Sequence, residues 1–458
     1  KAFSTSNNLP SSTSDAIYIL NEQQSGMNVF SVITDSLNLW DWETGIYVLG
    51  DNASSEYPYF GSNFWQPWSK KSRLKYFDSN GILKSEETID LEIHGGWSRA
   101  EPQKSFRLDF KNQYSGLFDH PIMNNKSNIS SFNNLNLRNG GQHVWSDKLQ
   151  DAIISNVARG TNISYSSWEP AILYLNGDFW GIYGVREKID EHYVENNFAV
   201  PSESVDLMNT FEVLNGEGFS FHSDAEQILN LDPESDGFVN DFGSVFDLDS
   251  YIDYFVFETF TQNSDWIGIF WNANNMKLFR SDQLDGKWRY AMYDMDASYG
   301  YFGAGLSDNY IEYARNPGFE NDHSMIFDHV LENNEFKCLF VNRYADLLNT
   351  NFRQDYFNNV VDSMYSLLSA TMPLNIQRWG QVGSYNDWLS SVQSIKYHNY
   401  NRLNPARNNV VNSFGLPGTV DLILDVFPNG AGQVKISTIV PETFPWTGEY
   451  FKGCPVQI

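Results

Sequence analysis

Hydrophobic and polar residues alternate strictly over Ser105–Phe110, where Phe106, Leu108 and Phe110 share one face and Ser105, Arg107 and Asp109 the other. A two-residue period predicts a β-strand with one buried face. Lys104 falls on the apolar parity, so its ammonium either snorkels at the strand's end or binds something inside. Shorter strand-like runs, bounded by turn residues, occur at Val29–Ile33, Gly45–Leu49, Leu74–Phe77 and Ile89–Ile93. Ala171–Leu175 and Trp180–Arg186 flank Asn176-Gly177-Asp178, and Asn-Gly between two apolar runs signals a tight hairpin. A second turn, Asp285-Gly286, leads into a strand over Trp288–Asp294.

Elsewhere the period is helical. Leu149, Ala152, Ile153 and Val157 predict a helix over Asp147–Arg159, with Asp147 near its start, where a carboxylate suits the helix dipole. Another helix is expected over 249–261. Beyond the Gly-rich stretch from Gly300 to Gly305, one helix face carries Phe340, Tyr344, Leu347 and Leu348. A second carries Phe357, Val360, Val361, Met364, Leu367 and Leu368. Residues 1–27 read as a leader or linker, 200–246 as an acidic irregular or inserted region, and 417–458 as a C-terminal β segment with Pro428-Asn429-Gly430 as a turn. No internal repeat is found. The order predicts an α+β protein of two lobes, with its site in the crevice between them.

Composition narrows the partners. The 458 residues carry 30 Lys+Arg against 57 Asp+Glu, a net charge of −27, which disfavours nucleic acid and anionic membrane surfaces. The 33 Phe, 25 Tyr and 14 Trp imply either large aromatic cores or sugar-stacking platforms. No stretch approaches the ~20 apolar residues of a membrane helix. The chain starts at Lys1, with no initiator Met and no signal peptide, and is expected to be a mature or trimmed form that continues past Ile458. Two cysteines exclude a disulfide scaffold and a thiolate zinc site. Cys338 is expected as a buried free thiol in a helix, with pairing to Cys454 as the alternative. Few charges and cysteines, with many Asn, Ser, Thr and aromatic residues, suggest an exported bacterial protein.

Several common motifs are absent: HExxH, GxSxG, GxxxxGK[ST] and GxGxxG. Asp232, Glu234, Asp236 and Gly237 begin like a calcium loop, but Gly243 stands where its twelfth-position Glu belongs. Two clusters remain. The first contains Asn263, Asp265, Asn272, Asn274, Asn275, Asp294 and Asp296. Asp294 and Asp296, two apart on a predicted strand, face the same side and must take up a proton, hold a cation or pair with an arginine. Oxygen ligands of this kind suit Mg²⁺ or Mn²⁺ rather than zinc. The second cluster runs from His94 to Arg107, where Gly95, Gly96, Ser98, Arg99, Lys104 and Arg107 offer backbone donors and positive charge to an anion. Distant acids are screened beyond about 8 Å at physiological salt, so local charge decides there.

These segments resemble the spore-coat CotH kinase-like family. The resemblance is carried by IHGGWSRAEPQKSFRLDF at 93–110, LNLRNGG at 135–141, AILYLNGDFWGIYGVREKID at 171–190 and NSDW at 263–266. ANNMKLFR at 273–280, KWRYAMYDMDASYG at 287–300 and ENNEFKCLFVNRYADLLNTNF at 332–352 continue it in order. It implies an atypical bilobal protein-kinase-like fold over 28–416, with a β-rich N-lobe to about 187 and a mainly helical C-lobe after it. It further implies transfer of the γ-phosphoryl of ATP, with Mg²⁺ or Mn²⁺, to Ser or Thr of an exported protein. On this resemblance Lys104 would hold the nucleotide phosphates, with Asp151 as its acidic partner; the local charge of Arg99 and Arg107 would add to nucleotide binding. Glu187 and Ile189 would meet the adenine at an interlobe hinge. Asp265 would be the catalytic aspartate, with Asp294, Asp296 and Asn274 or Asn275 as metal ligands. The run 266–273 is longer and more apolar than is usual in the family, which leaves the register of that asparagine open. Two other readings stay open: an inactive cation-binding interaction module on the same fold, and a carbohydrate-active protein using Asp265 and Asp294.

Overall fold

The computed structural model describes residues 26–458 except 111–113, 115, 219 and 429, together with a short strand pair at Thr5–Ser6 and Leu9–Pro10. The rest of the expected leader, and Asn429 of the expected C-terminal turn, lie outside the described residues. Seven strands form a closed barrel: β1 (Asn28–Ile33), β2 (Ser69–Phe77), β3 (Leu83–His94), β4 (Ser105–Asp109), β5 (Asn134–Arg138), β6 (Trp168–Leu175) and β7 (Asp178–Arg186). Neighbours are antiparallel in the order β1-β2-β3-β4-β5-β7-β6, and a parallel pairing of β6 with β1 closes the ring. Alternate side chains point inward, so Phe30, Leu74, Leu91, Phe106, Leu137 and Leu173 fill the interior.

This closure corrects the expected fold class. The expected bilobal kinase-like fold with a β-rich N-lobe is not shown; the strands close into a barrel instead. Alternation tells each strand which face to bury, but closure sets Val29 against Ile172, far apart along the chain, and no local pattern encodes that pairing. The Asn176-Gly177 hairpin is present between β6 and β7, with both residues at positive φ (53° and 94°), the geometry that the tight turn demands. Gly45–Leu49 is not a strand. It belongs to the segment that lays Leu39, Ile46 and Phe64 against the barrel core.

A second, five-stranded sheet contains Ser164–Tyr165, Val205–Asn209, Glu212–Asn215, Lys277–Ser281 and Arg289–Met292. The 200–246 region is therefore structured: it supplies two of these strands and the helices Ser220–Leu229 and Phe238–Val245. The helical layer packs through aromatic rings, with Phe260 on Phe352 at 3.8 Å and Phe255 on Phe327 at 4.2 Å, while Trp266, Trp288 and Trp388 are fully buried. Much of the aromatic content thus builds core.

The C-terminal strands Thr419–Leu424 and Trp446–Phe451 pair antiparallel and dock on the helix Asn334–Asn349. Tyr450 Oη donates to Asp346 (2.6 Å), Asn349 Nδ2 to the Glu449 carbonyl (3.0 Å) and Asn342 Nδ2 to the Pro455 carbonyl (2.8 Å). Cys338 and Cys454 form a disulfide, which replaces the expected free thiol. The bond joins positions 116 apart, so Cys454→Ser is expected to lower unfolding stability by about 2–4 kcal/mol. Urea unfolding of wild type with and without dithiothreitol checks this, and reduction should reproduce the variant.

Candidate active site

A cleft of ≈ 400 Å³ opens beside the end of the barrel. One wall is the loop His94–Arg99 with Arg107. The other is made of Asp265, Asn274, Asn275, Tyr293, Asp294 and Asp296, with Arg138, Gly141 and Gln142 between them. A smaller chamber adjoins it, sharing His94, Arg107, Arg138, Tyr293 and Asp294, and reaches Asp151, Arg186, Glu187, Lys188, Ile189 and Lys277. The structure therefore brings together every expected site residue except Lys104.

Lys104 is buried just before β4. Its Nζ donates to the carbonyls of Arg99 (2.6 Å) and Glu101 (3.0 Å) and sits 3.8 Å from the Phe64 ring centre. Burial pulls its pKa down to about 7. The ammonium is spent on carbonyls of its own chain and does not line the cleft; it braces the loop that walls it. Asp151 is not its acid. That carboxylate pairs with Arg186 and accepts from the Met295 amide at 3.0 Å. Arg99 is also turned on its own loop, with Nε donating to the Gly95 carbonyl (2.5 Å) and Nη1 to the Phe64 carbonyl (3.1 Å).

Arg107 faces the cleft. Its Nη2 lies 3.0 Å from His94 Nδ1, and because an arginine only donates, that ring nitrogen accepts and the imidazole is neutral. Burial and the charges of Arg107 and Arg138 push the His94 pKa well down, in agreement. Glu187 is fully engaged by Lys126 (2.7 Å), the Ser167 amide (2.9 Å) and Asn197 (3.0 Å), so its carboxylate is not free to meet a ligand. The Ile189 carbonyl accepts from Lys277 Nζ at 3.0 Å.

Asp265 follows the helix Leu248–Thr261, on a loop that the left-handed residue Gln262 (φ 59°) turns back. Its carboxylate accepts from Trp271 Nε1 (2.5 Å), Asn275 Nδ2 (2.9 Å) and Asn274 Nδ2 (3.3 Å). Burial nevertheless holds its pKa above the usual carboxylate range. Both asparagines therefore turn their amide N–H groups to Asp265.

Asp294 and Asp296 do converge, though not as alternate residues of a strand. The strand ends at Met292, Asp294 is left-handed (φ 56°), and Asp296 lies in the short 3₁₀ turn Met295–Ala297. Both carboxylates meet Arg138 Nη2, at 2.5 Å from Asp294 Oδ1 and 2.7 Å from Asp296 Oδ2. The Gln142 amide also donates to Asp296 Oδ2 at 2.9 Å. Asp296 Oδ1 is buried with no hydrogen-bond partner among the described residues. Burial raises the Asp296 pKa to about 6 against the pull of Arg138. A Cβ at Gly141 (φ 61°) would run into the Asp296 carboxylate and the Arg138 guanidinium, so this position requires glycine.

Arg138, Gly141 and Lys277 were not among the expected site residues. Arg138-Asn139-Gly140-Gly141 was legible as a cation beside two glycines, a pattern that lets backbone approach charge. His143 was also unforeseen. Its Nδ1 is 2.8 Å from Asp147, whose other oxygen accepts from the Leu149 and Gln150 amides at the start of the helix Gln150–Val157. Its Nε2 is 2.9 Å from the Asp296 carbonyl. Burial opposes the imidazolium, but Asp147 and Asp296 outweigh it and raise the pKa to about 9. A histidine normally titrates near 6.5, so this stabilisation is complete below that pH and lost as pH rises through about 9. His143→Gln is expected to flatten the fall in Tm between about pH 7 and 10, measured by a thermal scan series. An unchanged slope would refute the ion pair.

The CotH kinase protein family model matches residues 91–404, most of the chain and both walls of the cleft. The chain belongs to the CotH kinase family. No curated protein matches it. In this CotH-family chain the family name suggests a kinase-like function, and a closed seven-stranded barrel supports the cleft. No helix among the described residues is long and apolar enough to cross a membrane.

Proposed function

We propose that the protein is an exported, ATP-dependent kinase that transfers the γ-phosphoryl group to a Ser or Thr hydroxyl of an extracytoplasmic protein. The observation that carries this reading is that the carboxylate Asp265 and the cations Arg107 and Arg138 line one cleft. Phosphoryl transfer asks for little else: cations to offset phosphate charge and a carboxylate to orient the acceptor hydroxyl. Asp265 accepts the hydroxyl proton as the new O–P bond forms and the bond to the β-phosphate oxygen breaks, releasing ADP. Its raised pKa makes it a better base at neutral pH than an exposed carboxylate. Arg107 binds phosphate oxygens, and the segment Glu187–Ile189 lines the chamber that takes the base.

A divalent ion, when bound, would neutralise phosphate charge. Asp294 and the unpartnered Asp296 Oδ1 are the hard oxygen donors that fit Mg²⁺ or Mn²⁺. Among the described residues no group of three or more His, Cys, Asp or Glu side chains is placed to hold a metal. Two carboxylates suffice for Mg²⁺, which takes its remaining ligands from phosphate and water. The Cys338–Cys454 disulfide supports an oxidising, extracytoplasmic compartment. Thermal-shift and calorimetric titration with ATP, with and without Mg²⁺, tests the reading. Saturable binding that Asp294→Ala weakens is expected, together with transfer of labelled phosphate to exported protein. Silence toward ATP under both conditions would overturn it.

A further inference from the structure

The acid pair of the cleft already holds a cation, and that cation belongs to the chain. We propose that Arg138 masks a latent divalent-metal site formed by Asp294 and Asp296, so that a metal ion enters only when an anion draws the guanidinium away. The trigger rests on the nucleotide reading above; the masking does not.

A single nitrogen, Nη2, bridges Asp294 Oδ1 and Asp296 Oδ2 at 2.5 and 2.7 Å, so the cation between the two acids is a side chain of the chain itself. One guanidinium against two carboxylates leaves the cluster short of positive charge. The other Asp296 oxygen, Oδ1, is buried with no hydrogen-bond partner among the described residues, and Asp296 lines the cleft. A buried carboxylate oxygen without a donor is costly, and the Arg138 guanidinium, engaged at Oδ2, does not supply one. A divalent ion taking Asp294 and Asp296 would satisfy it. The neighbouring charges are themselves paired, Asp151 with Arg186 and His143 with Asp147, so neither pair supplies a cation to the Asp296 carboxylate by direct contact.

Exchange is also geometrically open. The Asp294 side chain is one-third exposed, so an ion has a path to it. Arg138 lines both the cleft and the adjoining chamber, alongside Arg107, so it can move from the acids to a phosphate without leaving the site. Gly141 keeps the wall thin where the Arg138–Asp296 pair abuts it, and the Gln142 amide holds Asp296 in place whichever cation is bound.

The test is direct Mn²⁺ binding to the full chain without nucleotide, read from loss of the free-ion electron paramagnetic resonance signal. Wild type should bind weakly. Arg138→Gln should gain one site at least tenfold tighter, and Arg138→Gln/Asp296→Asn should lose it. In wild type, ATP should bring on a tight site beyond the Mn²⁺ that the same ATP takes up without protein. Mn²⁺ affinity in wild type equal to that in Arg138→Gln, or a folded Arg138→Gln with no site, would overturn the masking. Should Arg138→Gln fail to fold, Arg138→Lys, with its shorter reach, is expected to bind Mn²⁺ at least threefold tighter than wild type, and equality would overturn it. ATP that stabilises neither protein would sink the kinase reading alone, because the Mn²⁺ comparison needs no nucleotide.

Discussion

Asp265→Asn is expected to lower phosphoryl transfer by ~10²–10⁴-fold, the usual contribution of a positioned general base. The substitution keeps volume and an acceptor for Trp271 Nε1, which lies 2.5 Å from Oδ1, but removes the charge that would take the hydroxyl proton. Because Asp265 is held by Trp271, Asn274 and Asn275 rather than by phosphate-binding cations, ATP affinity should change little while kcat falls. Single-turnover transfer and calorimetry on the same preparation separate the two quantities. A variant retaining more than about a tenth of wild-type transfer would remove Asp265 from the role of base.

The second large effect is on stability. Asp151→Ala is expected to cost about 3–5 kcal/mol, because it strands the Arg186 guanidinium in a buried site. Arg186 ends β7, Asp151 lies in the helix Gln150–Val157, and the Asp151 carboxylate also accepts from the Met295 amide between Asp294 and Asp296. The barrel, the helix and the acid turn therefore meet at one side chain. Asp151→Asn keeps an acceptor for the Met295 amide but not the charge, and should fall between wild type and Asp151→Ala in urea unfolding. A loss below about 1 kcal/mol for the alanine variant would show that the ion pair is not what joins the three elements.

The contrast between Lys104 and Arg138 shows how much of the site was legible. Lys104 carried the right charge at the right place along the chain, yet it is braced on the carbonyls of Arg99 and Glu101. Arg138 lay in the family-like segment 135–141 beside two glycines but had no assigned role, yet it binds acids 156 and 158 positions away. The acid pair itself was legible as a pair. Strand alternation does not account for its convergence: a left-handed Asp294 and a 3₁₀ turn bring the carboxylates together.

Local elements followed from the chain alone. The alternation around Phe106, the Asn176-Gly177 turn and the helical spacing from Phe340 to Leu348 each rest on steric and solvation preferences acting over a few residues. Acidic charge and the ordered family segments likewise needed no structure. Closure of the barrel by β1 on β6, the Cys338–Cys454 bond and the Arg138 bridge were decided only by tertiary structure. Each joins residues distant along the chain, and its free energy depends on burial and geometry that exist only once the whole core has formed.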